Sequence, residues 1–112
     1  MTALSIVPDV ARVVSMDAKR AGSRLYVVGT TKAEFGGSQF FAHRRIQGGS
    51  VPRPDLAHAP RAARAVAAAI RAGLVSSAHD CSDGGLLVAV AEILIAAAGG
   101  ASPDLGASLD FS

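Results

Sequence analysis

The chain has 112 residues, half of them apolar, and carries 11 Lys plus Arg against 9 Asp plus Glu. A chain of this length forms one domain or part of one, and its apolar content suffices for one core. The net charge of +2 is too small to indicate a nucleic-acid surface, so we expect no nucleic-acid partner. The single cysteine, Cys81, excludes an intrachain disulfide and a cysteine-rich zinc site.

Targeting and membrane segments are not expected. Residues 1–10 lack the positively charged region and the apolar run of a secretory signal. The longest apolar run extends from Leu86 to Ala98 and contains Glu92, and its length of about 13 residues is short of the roughly 20 that a bilayer-spanning helix needs. We therefore expect a cytoplasmic protein with no membrane partner, in which this run forms a buried helix.

The first half of the chain predicts two strands and one short helix. Residues 25–29 are β-branched and aromatic in character and predict a buried strand, and residues 10–14 predict a shorter one before it. Residues 30–38 contain Gly-Gly-Ser and predict a loop, after which residues 39–45 predict a short helix. Residues 48–54, with two glycines and two prolines, predict a connecting turn.

The second half predicts two longer helices and two further strands. Asp55 fits the N-cap of a helix through Ala72, which Gly73 terminates. Residues 74–78 predict a short strand, residues 85–98 a helix that is apolar on nearly all sides and hence buried, and residues 106–111 a half-buried strand. The alternation of strands and helices indicates an α/β (α+β) fold, in which a mixed sheet is packed by helices.

The stretch most informative about function is SAHDCSDGG at residues 77–85, between a predicted strand and a predicted helix. The first turn of a helix has free N–H groups and the positive end of the helix dipole, and it therefore binds phosphate oxygens. The two glycines let the backbone approach a ligand closely, while Ser82 can both cap the helix and donate its hydroxyl to a phosphate. Asp80 offers a hard oxygen suited to magnesium. The candidate nucleotide-binding residues are Ser82, Asp83, Gly84 and Gly85, and the candidate metal ligand is Asp80.

An ordinary structural role explains the same residue types. Serine and aspartate are common N-caps and Gly-Gly is a common turn, so the pattern alone does not require a ligand. His79 fits a hydrogen-bonded core histidine better than a catalytic one. Cys81 has no neighbouring base other than His79, and we assign no catalytic residue.

A second candidate anion site is the turn formed by Gly36, Gly37 and Ser38. The turn follows a predicted strand and could present backbone N–H groups to the nucleotide. The alternative is a turn that merely reverses the chain, in which Lys32 and Glu34 are solvated.

Three segments carry a family resemblance: IVPDVARVVSMDAKRAG at 6–22, LYVVGTTKAEFGGSQF at 25–40 and RAGLVSSAHDCSDGGLLVAVAEI at 71–93. Together, in this order and at this spacing, they resemble the AIR-synthase-like, or PurM-like, carboxy-terminal domain of the phosphoribosylformylglycinamidine synthase family. The specific part is the string His-Asp-x-Ser-Asp-Gly-Gly-Leu followed by Ala-Glu. The resemblance covers nearly the whole chain.

The resemblance implies an ATP-dependent C–N ligase of purine biosynthesis. Such enzymes convert formylglycinamide ribonucleotide to formylglycinamidine ribonucleotide with ammonia derived from glutamine. Carried over residue by residue, Asp80 coordinates magnesium, Ser82 contacts nucleotide phosphate, and Gly84 and Gly85 support them. The implied cofactors are ATP or ADP and Mg²⁺, and the implied partners are the remaining synthase domains and a glutaminase subunit or domain.

The resemblance also implies a truncated protein. We expect residues 1–112 to be one partial AIR-synthase-like carboxy-terminal domain that is incomplete at its C-terminus and has no ligase activity by itself. A stand-alone nucleotide-binding module and a non-binding remnant of a split gene are the alternatives.

Overall fold

The computed structural model describes residue 2, residues 4–100, residue 102 and residues 104–110. A 3-10 helix at Val10–Arg12 is followed by three α-helices: α1 (Gln39–His43), α2 (Ala59–Arg71) and α3 (Gly85–Ala98). The chain divides into two compact units. Unit 1 consists of Met1–Arg24 with Ala67–Ser112, and unit 2 is Leu25–Val66.

The predicted α/β (α+β) fold with its mixed sheet is wrong, because the described residues contain helices and no strand. A strand requires a ladder of backbone hydrogen bonds to a neighbour. Ala78, in the predicted strand 74–78, donates its N–H to the Ser15 carbonyl at 3.2 Å. One such bond joins two segments without forming a ladder.

The other predicted strands also adopt different conformations. Residues 10–12 form the 3-10 helix, because the Asp9 carboxylate accepts a hydrogen bond from the N–H of Ala11 and caps the turn. Residues 25–28 are exposed, and Gly29 follows them with a φ of 131°, outside the extended region. Residues 106–110 are irregular, and Phe111, which completes the last predicted strand, lies outside the described residues.

Asp55, predicted as the N-cap of this helix, caps the turn at residues 56–58 that leads into α2, which begins at Ala59. One carboxylate oxygen of Asp55 accepts hydrogen bonds from the N–H groups of Ala57 and His58, at 3.0 and 2.9 Å. Its other carboxylate oxygen lies 2.7 Å from Nδ1 of the His58 ring. The Asp55 side chain therefore satisfies amide donors that a helix N-terminus leaves without intrahelical partners.

The C-terminal end of α2 confirms the stop predicted at Gly73. Gly73 has a φ of 71°, a left-handed conformation that glycine adopts without strain. Its N–H donates to the Ile70 carbonyl at 2.9 Å, and the N–H of Leu74 donates to the Ala69 carbonyl at 3.0 Å. These bonds satisfy carbonyls of the last turn.

Unit 2 contains a close backbone contact beside α1. The N–H of Gly36 donates to the Ser50 carbonyl at 2.8 Å, and a Cβ on Gly36 would lie 2.5 Å from the Gly49 carbonyl oxygen. The rings of Phe35 and Phe41 stack with centroids 5.8 Å apart. Gly36 is therefore a position where only glycine fits.

Helix α3 has the predicted bounds but not the predicted burial. Ala89, Val90 and Ala97 are buried, whereas Leu87 is 59% exposed and Ile95 is 70% exposed. Helix α3 is therefore apolar on nearly all sides but packs against the rest of the chain on only one side. Within the ranges that the structure describes, neither α3 nor any other helix has the length and apolarity needed to cross a membrane.

The Asp55 cap predicts an acid-sensitive α2. The pKa of Asp55 is lowered from its ordinary 3.8, first by the hydrogen bond from the His58 N–H and then by the His58 ring. A carboxylate with a lowered pKa stabilises the folded state above its unfolded pKa, and that stabilisation is lost as the pH falls through the folded value. We predict that circular dichroism will show a steeper loss of helix below about pH 3.8 in the wild type than in Asp55→Asn.

The asparagine variant is the matched control, because asparagine caps helices well and does not titrate. Parallel acid curves for the two proteins would contradict this role for Asp55.

The contact at Gly36 predicts a destabilising substitution. Gly36→Ala forces the backbone at Gly49 to move, and overpacking of this kind costs about 1–3 kcal/mol of unfolding free energy. Gly106→Ala is the control, since a Cβ at Gly106 meets no atom within 4 Å. Urea unfolding of both variants measures the difference, and equal midpoints would contradict the contact.

Candidate functional site

The segment before the candidate loop is held in place within unit 1. The Ser77 hydroxyl donates to the Asp17 carbonyl at 2.6 Å, next to the backbone bond from Ala78 to Ser15. Both bonds join segments about 60 residues apart in the sequence. The chain therefore enters the loop at His79 from a fixed position.

The loop enters α3 through two glycines. Gly84 is the N-cap residue, with φ 89° and ψ −9°, and no side chain caps the helix. A Cβ on Gly84 would lie 2.5 Å from Cγ2 of Val88. Gly85 also has a positive φ, of 73°, and donates its N–H to the Ser82 carbonyl at 3.1 Å. The expectation that Ser82 caps the helix is therefore wrong, because Gly84, in a left-handed turn, is the N-cap residue.

Ser82 instead contacts Asp80. The Ser82 hydroxyl donates a short hydrogen bond to Oδ2 of Asp80, whose side chain is 82% exposed. This hydrogen bond is the main reason that the pKa of Asp80 lies below its ordinary value, followed by an interaction with its own backbone and a hydrogen bond from His79. Asp80 is consequently an ionised and accessible carboxylate at neutral pH.

His79 lies between two carboxylates. Its side chain is 13% exposed, and Nδ1 lies 3.2 Å from Oδ1 of Asp80. On the other side of the ring, Nε2 lies 3.1 Å from Oε2 of Glu92, and this buried nitrogen has no hydrogen-bond partner in the part of the chain that the structure describes. His79 thus joins the loop to the middle of α3.

Sequence reasoning missed Glu92 as a member of this cluster. Glu92 is the only charged residue in α3, and it follows His79 by 13 positions. A lone charge in an apolar helix beside a candidate loop is the signal that could have identified it, because a charge next to a core tends to be paired.

The structure brings the main candidates together on one accessible loop. Asp80, Ser82, Asp83 and Gly84 are exposed, Gly85 is half-buried, and all lie between His79 and the first residue of α3. Over the described ranges, no group of three or more His, Cys, Asp or Glu side chains is arranged to hold a metal ion. A magnesium ion commonly takes one or two protein carboxylates and completes its shell with phosphate oxygens and water. The donor set of Asp80 and Ser82 fits that chemistry.

The second candidate turn lies in unit 2 and has local hydrogen-bond partners. The N–H of Gly36 donates to Ser50, and the N–H of Ser38 donates to the Phe35 carbonyl at 3.1 Å. The Ser38 hydroxyl accepts the N–H of Phe41 at 3.2 Å and caps α1. Gly37 is exposed, with a φ of 73°. These contacts give the turn a structural role, and anion binding by Gly36, Gly37 and Ser38 stays a prediction.

Comparison with known proteins defines the family. Residues 20–110 match the family described as AIR synthase related protein, C-terminal domain. The chain belongs to this family. The match covers well over half of the chain and includes the whole candidate loop, and it confirms the predicted AIR-synthase-like, or PurM-like, carboxy-terminal domain. Membership of the phosphoribosylformylglycinamidine synthase family stays a prediction. The AIR synthase family includes ATP-using synthases and ligases and is associated with enzymes of purine biosynthesis. No solved structure matches the chain.

The contact between Ser82 and Asp80 predicts a measurable titration change. Removing the hydroxyl in Ser82→Ala removes the main cause of the lowered pKa, so the pKa of Asp80 should rise toward its ordinary 3.8. Ser82→Thr retains a hydroxyl and should leave the pKa low. Carboxyl-carbon NMR titration measures both, and an unchanged Asp80 pKa in the alanine variant would contradict the contact.

Proposed function

We propose that this chain is part of a phosphoribosylformylglycinamidine synthase, an ATP-dependent C–N ligase of purine biosynthesis in the cytoplasm. Its contribution is a loop, His79 to Gly85, that binds the phosphates of ATP or ADP together with magnesium. One observation carries the proposal: an exposed carboxylate with a lowered pKa, at Asp80, is paired with Ser82 beside the glycine-capped start of α3. Membership of the AIR synthase related family supports the class of enzyme.

The start of α3 supports phosphate binding. Helix N-termini carry roughly half a positive charge and free N–H donors, which together attract phosphate. Because its N-cap residue is a glycine, α3 has no N-cap side-chain oxygen that competes with a phosphate for the amides of the first turn. The small, exposed Gly84 also lets a ligand approach the backbone closely.

Asp80 and Ser82 support the metal assignment. Asp80 supplies an ionised oxygen, and Ser82 fixes the orientation of that carboxylate by hydrogen bonding to Oδ2. Bound magnesium would neutralise phosphate charge and orient the nucleotide. The residues of this loop bind and position the nucleotide, and we assign none of them to proton transfer. Activation of the substrate amide and its displacement by ammonia require the partner domains and the glutaminase.

Binding of magnesium-ADP to the 112-residue chain tests the loop directly. We predict saturable binding in isothermal titration calorimetry, at least tenfold weaker in Asp80→Asn and lost when EDTA removes magnesium. Asp104→Asn is the control, because it makes the same change of charge at an exposed carboxylate outside the loop. No binding by the wild type, or equal binding by Asp80→Asn, would contradict the proposed site.

The ligase assignment requires assembly with partners. Reconstitution of the chain with the remaining synthase domains and a glutaminase should yield formylglycinamidine ribonucleotide from formylglycinamide ribonucleotide, ATP and glutamine. Product formation that does not depend on adding this chain would contradict the assignment, even if the chain binds magnesium-ADP.

A further inference from the structure

We propose that His79 is a positioning residue, which lies against Glu92 on α3 and holds the Asp80 carboxylate in the orientation that ligates magnesium. The inference rests on the proposed function. It adds His79 and Glu92 to the site, two residues to which the family resemblance assigns no role. Three contacts carry it: His79 to Asp80, His79 to Glu92, and Ser82 to Asp80.

The two oxygens of Asp80 have separate partners. Oδ1 faces Nδ1 of His79 at 3.2 Å, and Oδ2 accepts the Ser82 hydroxyl. Because an ionised carboxylate only accepts hydrogen bonds, Nδ1 must be the donor of the first contact. A carboxylate held at both oxygens cannot rotate freely, although its side chain is 82% exposed. Two donors therefore fix the plane of a group that solvent alone would leave mobile.

Glu92 lies beside the other side of the ring. Oε2 of Glu92 lies 3.1 Å from the buried Nε2, and Glu92 occupies the middle of the 14-residue helix α3. The buried Ala89 lies one turn before Glu92 on the same helix. The imidazole therefore lies between the loop and α3, with its hydrogen bond on the Asp80 side and a close approach to Glu92 on the other. Side chains that orient a metal ligand in this way commonly change metal affinity 10- to 100-fold when they are removed.

A purely structural histidine predicts a different mutational pattern. If His79 only fills space next to α3, an apolar residue of similar size should serve as well. If His79 acts through its Nδ1 donor, asparagine should substitute for it, because the asparagine amide nitrogen can occupy a position close to that of Nδ1. Leucine, which fills the space without a donor, should not.

The first test compares magnesium-ADP affinity in the wild type, His79→Leu and His79→Asn, with circular dichroism as the check on folding. We expect His79→Leu to raise the Kd 10- to 100-fold, His79→Asn to stay within about threefold of the wild type, and Glu92→Gln to have an effect between these two. Wild-type affinity in His79→Leu, or equal losses in the leucine and asparagine variants, would overturn the positioning role.

A ligand-free measurement separates this inference from the proposed function. In ¹H–¹⁵N spectra of the histidine rings at pH 7, Asp80→Asn should shift the Nδ1 resonance of His79 and leave those of His43 and His58 in place. An unchanged Nδ1 resonance of His79 would overturn the inference whether or not the chain binds magnesium-ADP. A wild-type chain that does not bind magnesium-ADP overturns the proposed function and the metal-positioning role with it, whereas wild-type binding that His79→Leu leaves unchanged overturns the inference alone.

Discussion

The left-handed turn at Gly84 is the constraint on which the candidate site depends. With a φ of 89° and Val88 directly beside it, this position excludes any side chain, and it sets the first residue of α3 at Gly85. A serine or aspartate cap would have occupied the amides of the first turn with its own oxygen. A glycine cap leaves that end of the helix without a side-chain acceptor. The same turn frees the Ser82 hydroxyl for Asp80, so one backbone conformation creates both halves of the site.

The rest of unit 1 supplies a frame for this loop. Backbone and side-chain hydrogen bonds join residues 15–18 to Ser77 and Ala78, which precede the loop, and to Ile93 in α3. The close approach of His79 to Glu92 is a direct contact between the loop and the helix. The loop residues that we propose to contact the nucleotide are exposed or half-buried, while residues on either side are hydrogen-bonded to the rest of unit 1. A site of this kind combines accessibility with a fixed geometry, as precise binding of a charged ligand requires.

The sequence predicted the helices well because their signals are local. The carboxylate of Asp55, the hydroxyl of Ser38 and the glycine at position 73 each act within a few residues of the helix end that they define. The predicted strands depended instead on partners distant in sequence, which composition does not specify, and the described residues form no ladder. Apolar composition likewise predicted complete burial of α3, whereas packing covers only the side that carries Ala89 and Ala97.

The sequence predicted which loop carries the candidate site, but not which residue caps α3 or which side chains contact one another. The Gly-Gly pair and the preceding carboxylate identified the loop, because close backbone approach and metal ligation need those residue types. Which residue caps α3 was not predictable, since Ser82 and Gly84 both suit an N-cap and only the backbone conformation decides between them. Glu92 was missed because its contact with His79 is tertiary.

Backbone-amide chemical-shift mapping with magnesium-ADP tests most directly whether phosphate binds at the start of α3. If phosphate binds there, the largest, EDTA-sensitive shifts should fall at residues 82–86; shifts centred elsewhere in the chain, such as residues 36–38, would contradict binding at this helix.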